Sequence, residues 1–344
     1  MAEQKRMAEV VTDRLATAAR ALGVRNPGDY VGGLLQRTFW LPEGDAKYAA
    51  NALTPGAAPC EPEFAEEEPN VLRFTIEPLG PGIAPVSRRD EATREMRRLV
   101  GHNFGGDALR WFDERSEDWR GFGVPPGLDF GAWFGTAVDR QGLNSSTVFY
   151  ELHPRQINAL PAQLAALVRT AIEAMPALVP VFTTISCSRH EGSQRANFVH
   201  RGLLRLARLE PLMARLGLAH QLPGVMQVAG LTLGGRFDLP ERAVVISLRQ
   251  THEGPEMELE ILLGAIPDVP PTFMDLLALG LSERPQQVRG LSRWLRAFTP
   301  EEHRRPGDIS VLSIRATPRT SARVSLYLRP IEFEIRHRQL AEAG

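Results

Sequence analysis

The 344-residue chain has almost no lysine, since Lys5 and Lys47 are the only two among its 40 basic residues. Any anion site is therefore built from arginine, histidine or backbone amides. Cysteine is equally scarce, and Cys60 with Cys187 is too few for a disulfide framework, which favours a reducing compartment. The formal net charge of −1 disfavours a dedicated nucleic-acid binder, because such proteins are normally basic.

Several motifs of targeting and catalysis are also absent. Residues 1–20 contain no apolar core of a secretory signal, and no apolar run is long enough to span a membrane, so we expect a cytoplasmic protein. The sequence lacks a phosphate loop, a dinucleotide-binding glycine pattern and the Gly-x-Ser-x-Gly motif. It also lacks HExxH, CxxC and an acidic DDxxD cluster, so we expect no metal site.

Alternating polar and apolar side chains predict β-strands. In segment 71–79 the even-numbered positions from 72 to 76 are apolar and the odd-numbered positions from 73 to 77 are polar. Similar patterns predict strands at 129–138, 146–152, 178–188, near 198, and at 226–233, 242–249, 257–263, 309–316 and 322–328. Helical spacing predicts helices at 8–22, 89–103, 109–119, 155–175, 203–218, 271–281 and 285–298.

The order of these elements predicts the fold class. Short turns join paired strands into antiparallel hairpins, and helices separate the pairs, which does not fit a parallel doubly wound sheet. About ten such strands favour an α+β fold with a closed ten-stranded antiparallel β-barrel inside a ring of α-helices. We expect one domain over residues 1–344, with an N-terminal helix and an irregular segment within 1–70. Outer helices need an apolar sheet face, so the polar face is expected to line the lumen.

Two segments resemble a known family. Residues 53–64, which contain Pro-Cys-Glu at 59–61, precede a strand with the sequence NVLRFTIEP at 70–78. Together they resemble the opening of the dimethylallyltryptophan synthase type of aromatic prenyltransferase, and the final hairpin, with RVSLYLRP at 323–330, is similar to that family's last strands. The family's fold is the ABBA barrel, which agrees with the architecture predicted from the element order.

The resemblance implies a reaction and its participants. A prenyl diphosphate co-substrate would lose diphosphate, and an indole or other aromatic acceptor would attack the allylic cation without a metal or cofactor. Glu61 matches the glutamate that binds the indole N–H, Arg73 matches the first diphosphate-binding arginine, and Tyr327 matches a tyrosine of the last strand. Each residue also has a structural interpretation: a loop charge for Glu61, an ion pair with Glu77 for Arg73, and a rim position for Tyr327.

The middle of the chain departs from the family pattern. The family's Lys-x-Tyr strand would fall at 147–151, where only Tyr150 is retained, and its Arg-x-Lys-x-Tyr strand would fall at 242–246, where only Arg242 is retained. We expect Tyr150, Arg242 and Tyr327 to bind the diphosphate with Arg73. Arg249 or Arg315 would replace the missing lysine charge.

The chain has only four tyrosines, so the family's tyrosine shield around the cation cannot be complete. Phe149, Trp133 and Phe182 are candidates to replace it.

Two alternatives to prenyl transfer remain open. The same barrel could cyclise an isoprenoid by protonation, with Glu61, Glu77 or Glu151 as the acid, or it could bind a hydrophobic ligand without catalysis. In each case the expected partners are small molecules, with no nucleic acid and no membrane. We expect a monomer or homodimer, and a bacterial enzyme of secondary metabolism.

Overall fold

A computed structural model describes residues 5–120 and 127–335. Ten strands form a closed antiparallel barrel in the order β1-β12-β11-β10-β9-β6-β5-β4-β3-β2, and β7 and β8 form a separate two-stranded sheet. The strands are Cys60–Ala65 (β1), Leu72–Ile76 (β2), Ala132–Asp139 (β3), Gly142–Glu151 (β4), Leu178–Ser188 (β5), Gly192–His200 (β6), Leu204–Arg205 (β7), Asp238–Leu239 (β8), Val244–Thr251 (β9), Gly254–Leu262 (β10), Gly307–Ala316 (β11) and Arg323–Pro330 (β12). The predicted fold class is confirmed.

Helices follow the hairpins along the chain and cover the outside of the barrel. They are Met7–Leu22 (α1), Gly28–Thr38 (α2), Pro85–Asn103 (α3), Gly106–Arg120 (α4), Ala162–Ala174 (α5), Glu210–Arg215 (α6), Leu222–Thr232 (α7), Phe273–Gly280 (α8) and Pro285–Phe298 (α9). Helix α3 packs on β3 and β4, α5 on β9, and α7 on β11. The barrel closes where β1 pairs with β12, with Phe64 opposite Leu326.

The alternation of the strands decides which side chains face the lumen. In β12, Val324, Leu326 and Leu328 are buried against the helices, whereas the side chains between them are only half-buried. In β10, Met257 and Leu259 are completely buried in the same outer layer. Removing these apolar side chains from water is the main stabilising contribution, at about 25 cal/mol per Å². The predicted orientation, apolar outside and polar inside, is therefore correct for these strands.

Two element predictions are wrong, and their effects on the number of predicted strands cancel. Of the predicted strand 226–233, residues 226–232 belong to helix α7, which begins at Leu222 with Pro223 in its first turn, and Leu233 is its C-cap. The β-branched residues Val228 and Thr232 are typical of a strand, but the segment is helical and packs against α8 and β11. Conversely, β1 lies in the segment expected to be irregular, where Pro59 and Pro62 concealed it, because proline is uncommon within strands. The predicted number of ten strands is therefore right, although one member was misplaced.

Proline and turn geometry also shorten two predicted helices. The segment 155–175 is divided at Pro161, which precedes α5 and follows the 3₁₀ segment Pro154–Ala159. The segment 203–218 starts as strand β7, which pairs with β8, and becomes helical only at its second half. The segment expected to be irregular also contains α2. Within residues 5–120 and 127–335, we find no helix that is both long and apolar enough to cross a bilayer.

Candidate active site

The barrel lumen consists of two adjoining cavities of different character. The polar half has a volume of about 380 Å³ and is lined mainly by arginine, glutamate, serine and threonine. The apolar half has a volume of about 990 Å³ and is lined mainly by aromatic and aliphatic side chains. Thr75, Phe149, Glu260 and Tyr327 line both halves and so form the boundary between them.

Arginines from four different strands converge on the polar half. Arg73 projects from β2, Arg195 from β6, Arg249 from β9 and Arg315 from β11. The predicted residues Arg73, Arg249 and Arg315 are therefore brought together, and Tyr327 borders the same space. Because guanidinium groups remain charged and form bidentate bonds, this cluster has the chemistry of an anion site.

Each of these arginines already contacts a carboxylate. Arg195 Nη1 lies 2.5 Å from Glu258 Oε2, and Arg249 Nη2 lies 2.5 Å from Glu256 Oε2. Arg315 Nη1 lies 3.4 Å from the other oxygen of Glu256. Arg73 pairs with Glu68, and Arg315 also pairs with Glu67. Burial opposes the charge of Arg195, but the facing carboxylates, Glu258 first, raise its pKa overall.

Two further carboxyl groups face the lumen. Glu63 lies opposite Arg73 on β2 and opposite Tyr327 on β12 in the strand ladders. Burial raises the pKa of Glu63, and burial together with Glu258 raises the pKa of Glu260 to about 8. The carboxyl group of Glu260 therefore holds its proton to a higher pH than an ordinary glutamate does. It lies at the boundary, where it can contact a ligand in either half.

Glu61 is a buried carboxyl group of the apolar half. Only 7% of the surface of Glu61 is exposed, and Ser310 Oγ donates a hydrogen bond of 2.6 Å to Glu61 Oε1. Burial raises the pKa of Glu61 to about 7, although the bond from Ser310 lowers it. A carboxyl group with this pKa can accept a hydrogen bond or exchange a proton near neutral pH.

An aromatic cluster forms one wall of the apolar half. Trp133 stacks on Phe130 with ring centroids 4.1 Å apart, and it lies 5.7 Å from Phe182 and 6.4 Å from Phe149. The predicted replacements for the tyrosine shield, Trp133, Phe149 and Phe182, are therefore in mutual contact. Their ring faces can stabilise a carbocation and exclude water from it.

The structure places two predicted residues outside the lumen. Tyr150 follows Phe149 on β4 and so points to the opposite face, where its hydroxyl lies 2.7 Å from Thr93 Oγ1 of α3. Arg242 is exposed in the turn before β9, with a φ of 66°. Neither side chain can contact a ligand in the barrel, so the prediction that they bind diphosphate is corrected.

The alternative acids Glu77 and Glu151 have structural partners. Glu77 Oε1 lies 3.1 Å from Arg88 Nη1, and its other oxygen accepts a bond from the backbone N–H of Ala52. Glu151 accepts bonds of 2.9 Å from the backbone N–H groups of residues 129–131. Among the proposed acids, Glu61 therefore best combines burial with access to the apolar half.

Several residues that line the polar half do not follow from the sequence motifs. Arg195 and Asn197 are two positions apart on β6 and both face the lumen. In the sequence, only Phe198 had suggested this strand. Alternation in the predicted strand 257–263 puts Glu258 on the polar face, but it does not reveal that its partner is Arg195. The strand predicted near 198 is confirmed as β6, but Arg195 and Asn197 were not recognised as its lumen-facing residues.

Comparison with solved structures identifies the fold. The structure of 5-dimethylallyltryptophan synthase from Streptomyces coelicolor superposes with a TM-score of 0.71 and 17% identity, covering 96% of this chain and 99% of that one. The 6-dimethylallyltryptophan synthase from Micromonospora olivasterospora, solved with DMASPP and Trp, gives 0.71 and 18%, covering 95% and 98%. The chain has the ABBA barrel fold of these prenyltransferases. No protein-family model matches the chain, and no curated protein matches it in sequence.

The residues that the structure describes contain no group of three or more His, Cys, Asp or Glu side chains placed to hold a metal ion. Both cysteines are buried and unpaired with each other. Burial raises the pKa of the Cys187 thiol to about 12, which makes it a poor nucleophile.

Proposed function

We propose that this protein is an aromatic prenyltransferase, which transfers an allylic prenyl group from a prenyl diphosphate to an indole or another aromatic acceptor. The observation that carries the proposal is the divided lumen. An arginine cluster that suits a diphosphate adjoins an aromatic cavity that suits an isoprenoid chain and an aromatic ring, and Glu61 lies within that cavity. The fold shared with the dimethylallyltryptophan synthases supports the same proposal.

In this reaction the allylic C–O bond breaks heterolytically, and the electron pair leaves with the diphosphate. Arg73, Arg195, Arg249 and Arg315 would stabilise the negative charge on the leaving group. A carbon of the acceptor ring then forms the new C–C bond, and loss of the ring proton restores aromaticity. Trp133 and its neighbours would shield the cation from water while the bond forms.

Glu61 is proposed to bind the acceptor. Its ionised carboxylate would accept a hydrogen bond from an indole N–H, which increases electron density in the ring and favours attack on the cation. Glu260, at the boundary between the halves, could receive the ring proton when its carboxyl group is ionised.

The test is incubation of the protein with EDTA, dimethylallyl diphosphate and a panel of indoles that includes L-tryptophan. We expect a prenylated product by mass spectrometry and stoichiometric release of diphosphate. Arg73→Ala and Glu61→Gln should each reduce kcat/KM by about a hundredfold, while exposed Arg242→Ala should not change it. Absence of product and of diphosphate release with dimethylallyl, geranyl and farnesyl donors would overturn the proposal.

The raised pKa values of Glu61 and Glu260 favour one alternative function, protonation of an isoprenoid alkene followed by cyclisation. A carboxylic acid would donate its proton to one end of a C=C bond, and the resulting carboxylate would take back a proton when a new alkene forms. This reaction releases no diphosphate, and in D₂O it incorporates deuterium into the carbon skeleton. These two measurements separate it from prenyl transfer. Tight ligand binding without any product would instead indicate a non-catalytic barrel.

A further inference from the structure

The polar half has an unusual charge balance for a site that would bind a diphosphate. Its four arginines are matched by carboxylates, two on β10 (Glu256 and Glu258) and two after β1 (Glu67 and Glu68). Glu63 and Glu260 are additional carboxyl groups without an arginine bond of their own among the described contacts. A multiply charged anion therefore does not enter a field of free guanidinium groups. It must take these groups from carboxylates that already hold them.

Glu258 is the carboxylate best placed to compete with an anion. It lies on β10 between Ser247 of β9 and Arg315 of β11 in the strand ladders. Both of its oxygens are engaged, one by Arg195 Nη1 at 2.5 Å and the other by Ser313 Oγ at 2.6 Å. Its side chain is 12% exposed, so little water screens the ion pair.

Within residues 5–120 and 127–335, Glu258 is the only carboxylate that bonds Arg195, whereas Glu256 and Glu260 act on its charge without such a bond. The nearest ladder neighbour of Arg195 on β9 is Arg249, a like charge that is itself bound by Glu256. Removing the charge of Glu258 would therefore take the hydrogen-bonded counterion from a half-buried guanidinium group, which is energetically costly. A diphosphate bound at this guanidinium would recover that cost.

Resting on the proposed function, we propose that Glu258 is an intramolecular competitor for the anionic donor. It occupies Arg195 in the free protein, and it sets the affinity of the polar half for a prenyl diphosphate. The residue is therefore a specificity determinant. It weakens the binding of anions that lack a prenyl chain, such as inorganic diphosphate. A prenyl diphosphate overcomes this competition because its chain adds binding energy in the apolar half.

The experiment is calorimetric titration of inorganic diphosphate into the wild-type protein, Glu258→Gln and Glu253→Gln. Glutamine keeps the size of the side chain and can still accept the bond from Ser313, but it cannot neutralise Arg195. Glu253 is the matched control, because it lies at the turn of the same hairpin and pairs with Arg319 outside the lumen. We expect Glu258→Gln to bind diphosphate about tenfold more tightly than the wild type, and Glu253→Gln to bind it unchanged.

Two further variants make the result independent of any effect on folding. Glu258→Asp shortens the side chain and should give an intermediate gain. The double variant Glu258→Gln/Arg195→Gln should lose the gain, because the released guanidinium is its cause. Thermal melting with and without diphosphate should show a larger stabilisation of Glu258→Gln than of the wild type.

Equal or weaker binding by Glu258→Gln and Glu258→Asp would overturn the inference, and so would undetectable binding by every variant. A gain that persists in the double variant would also overturn it. Failure of the proposed function has a different signature, because it removes prenyl transfer whatever the affinity for diphosphate. A tenfold gain in affinity without any transfer would support the inference and reject the prenyltransferase.

Discussion

Ser310 on β11 donates a 2.6 Å hydrogen bond to Glu61 on β1, although strand β12 lies between the two strands. The bond is possible because the β11–β12 register shifts between Ile309 and Val311, which leaves Ser310 outside the regular ladder. Such a bulge bends a strand and redirects a side chain. Here it places a hydroxyl group against the one carboxyl that the sequence motif had assigned to acceptor binding.

The burial of Glu61 predicts that the stability of the protein depends on pH. Its pKa is about 7 in the folded protein and lies near 4.5 when unfolded, so the folded state binds more protons between these values. The contribution of this proton binding to the free energy of unfolding is therefore fully present below about pH 4.5. It is lost as the pH rises through 7, and the total loss is about 3 kcal/mol. Glu61→Gln cannot ionise, so denaturant unfolding should show that its stability relative to the wild type increases between pH 5 and pH 8.5.

The control for this prediction is Glu253→Gln, which removes an exposed carboxylate from the β9–β10 turn. Its stability relative to the wild type should change little over the same pH range. If the wild type and Glu61→Gln show parallel pH profiles, Glu61 does not titrate in this range and is not the buried carboxyl described here.

Loss of the Ser310 hydroxyl should raise the pKa of Glu61 further, because the bond stabilises the ionised carboxylate. If ionised Glu61 binds the acceptor, the pH profile of kcat/KM should rise with an apparent pKa near 7. In Ser310→Ala the same rise should move to higher pH, with little loss of rate at the alkaline limit. A uniform loss of rate at all pH values would mean that Ser310 contacts the substrate directly.

The sequence was sufficient to predict the barrel because alternation recurs in most of its hairpins, so the weak signal of β1 and β6 did not change the overall pattern. Strand β12 alternates so regularly that the lumen positions of Tyr327 and Arg329 follow from the sequence alone. The resemblance of 53–64 and 70–78 to the prenyltransferase family pointed to Glu61 and Arg73, and both line the lumen. These predictions depend on local order within one strand or on one short connection.

The remaining site residues depend on register between distant strands, which alternation cannot supply. Arg195 and Glu258 are 63 positions apart and meet only because β6 pairs with β9 and β9 with β10. Tyr150 was misplaced for the opposite reason, since a shift of one position along β4 reverses the face of every side chain. A correct alignment of 147–151 would have selected Thr147 and Phe149.

The outward orientation of Tyr150 predicts an effect on stability without an effect on ligand binding. Its hydroxyl bonds Thr93 of α3 in a buried position, so Tyr150→Phe should destabilise the protein by about 1 kcal/mol. Its affinity for diphosphate should equal that of the wild type, because the hydroxyl does not reach the lumen. Thermal melting and calorimetric titration of the same sample give both values. A clear loss of affinity in a protein of normal stability would contradict this orientation.

Gly131 is predicted to be essential for packing α3 against the barrel. It has a φ of 80°, and a Cβ at this position would lie 1.9 Å from the backbone oxygen of Pro85. Gly131→Ala should therefore destabilise the protein by about 3 kcal/mol, measured by denaturant unfolding. Gly82→Ala is the matched control, since Gly82 has a similar φ of 75° but no atom within 4 Å of its Cβ position. It should cost only the strain of the left-handed backbone, about 1 kcal/mol.

If the protein transfers prenyl groups as proposed, the position of Phe149 predicts how the prenyl cation is divided between acceptor and water. This ring lines both halves of the lumen and contacts Trp133 and Phe182, so it lies where a cation passing from the arginines to the acceptor would be most exposed to water. Phe149→Ala should open this boundary, and water should then capture part of the cation. With dimethylallyl diphosphate and an accepted indole, the ratio of prenyl alcohol to prenylated product should rise about tenfold. Total diphosphate release should fall by a smaller factor than the formation of prenylated product. Phe149→Tyr keeps the ring and should retain the wild-type ratio. If Phe149→Ala slows diphosphate release without producing alcohol, the ring supports ionisation rather than shielding the cation from water.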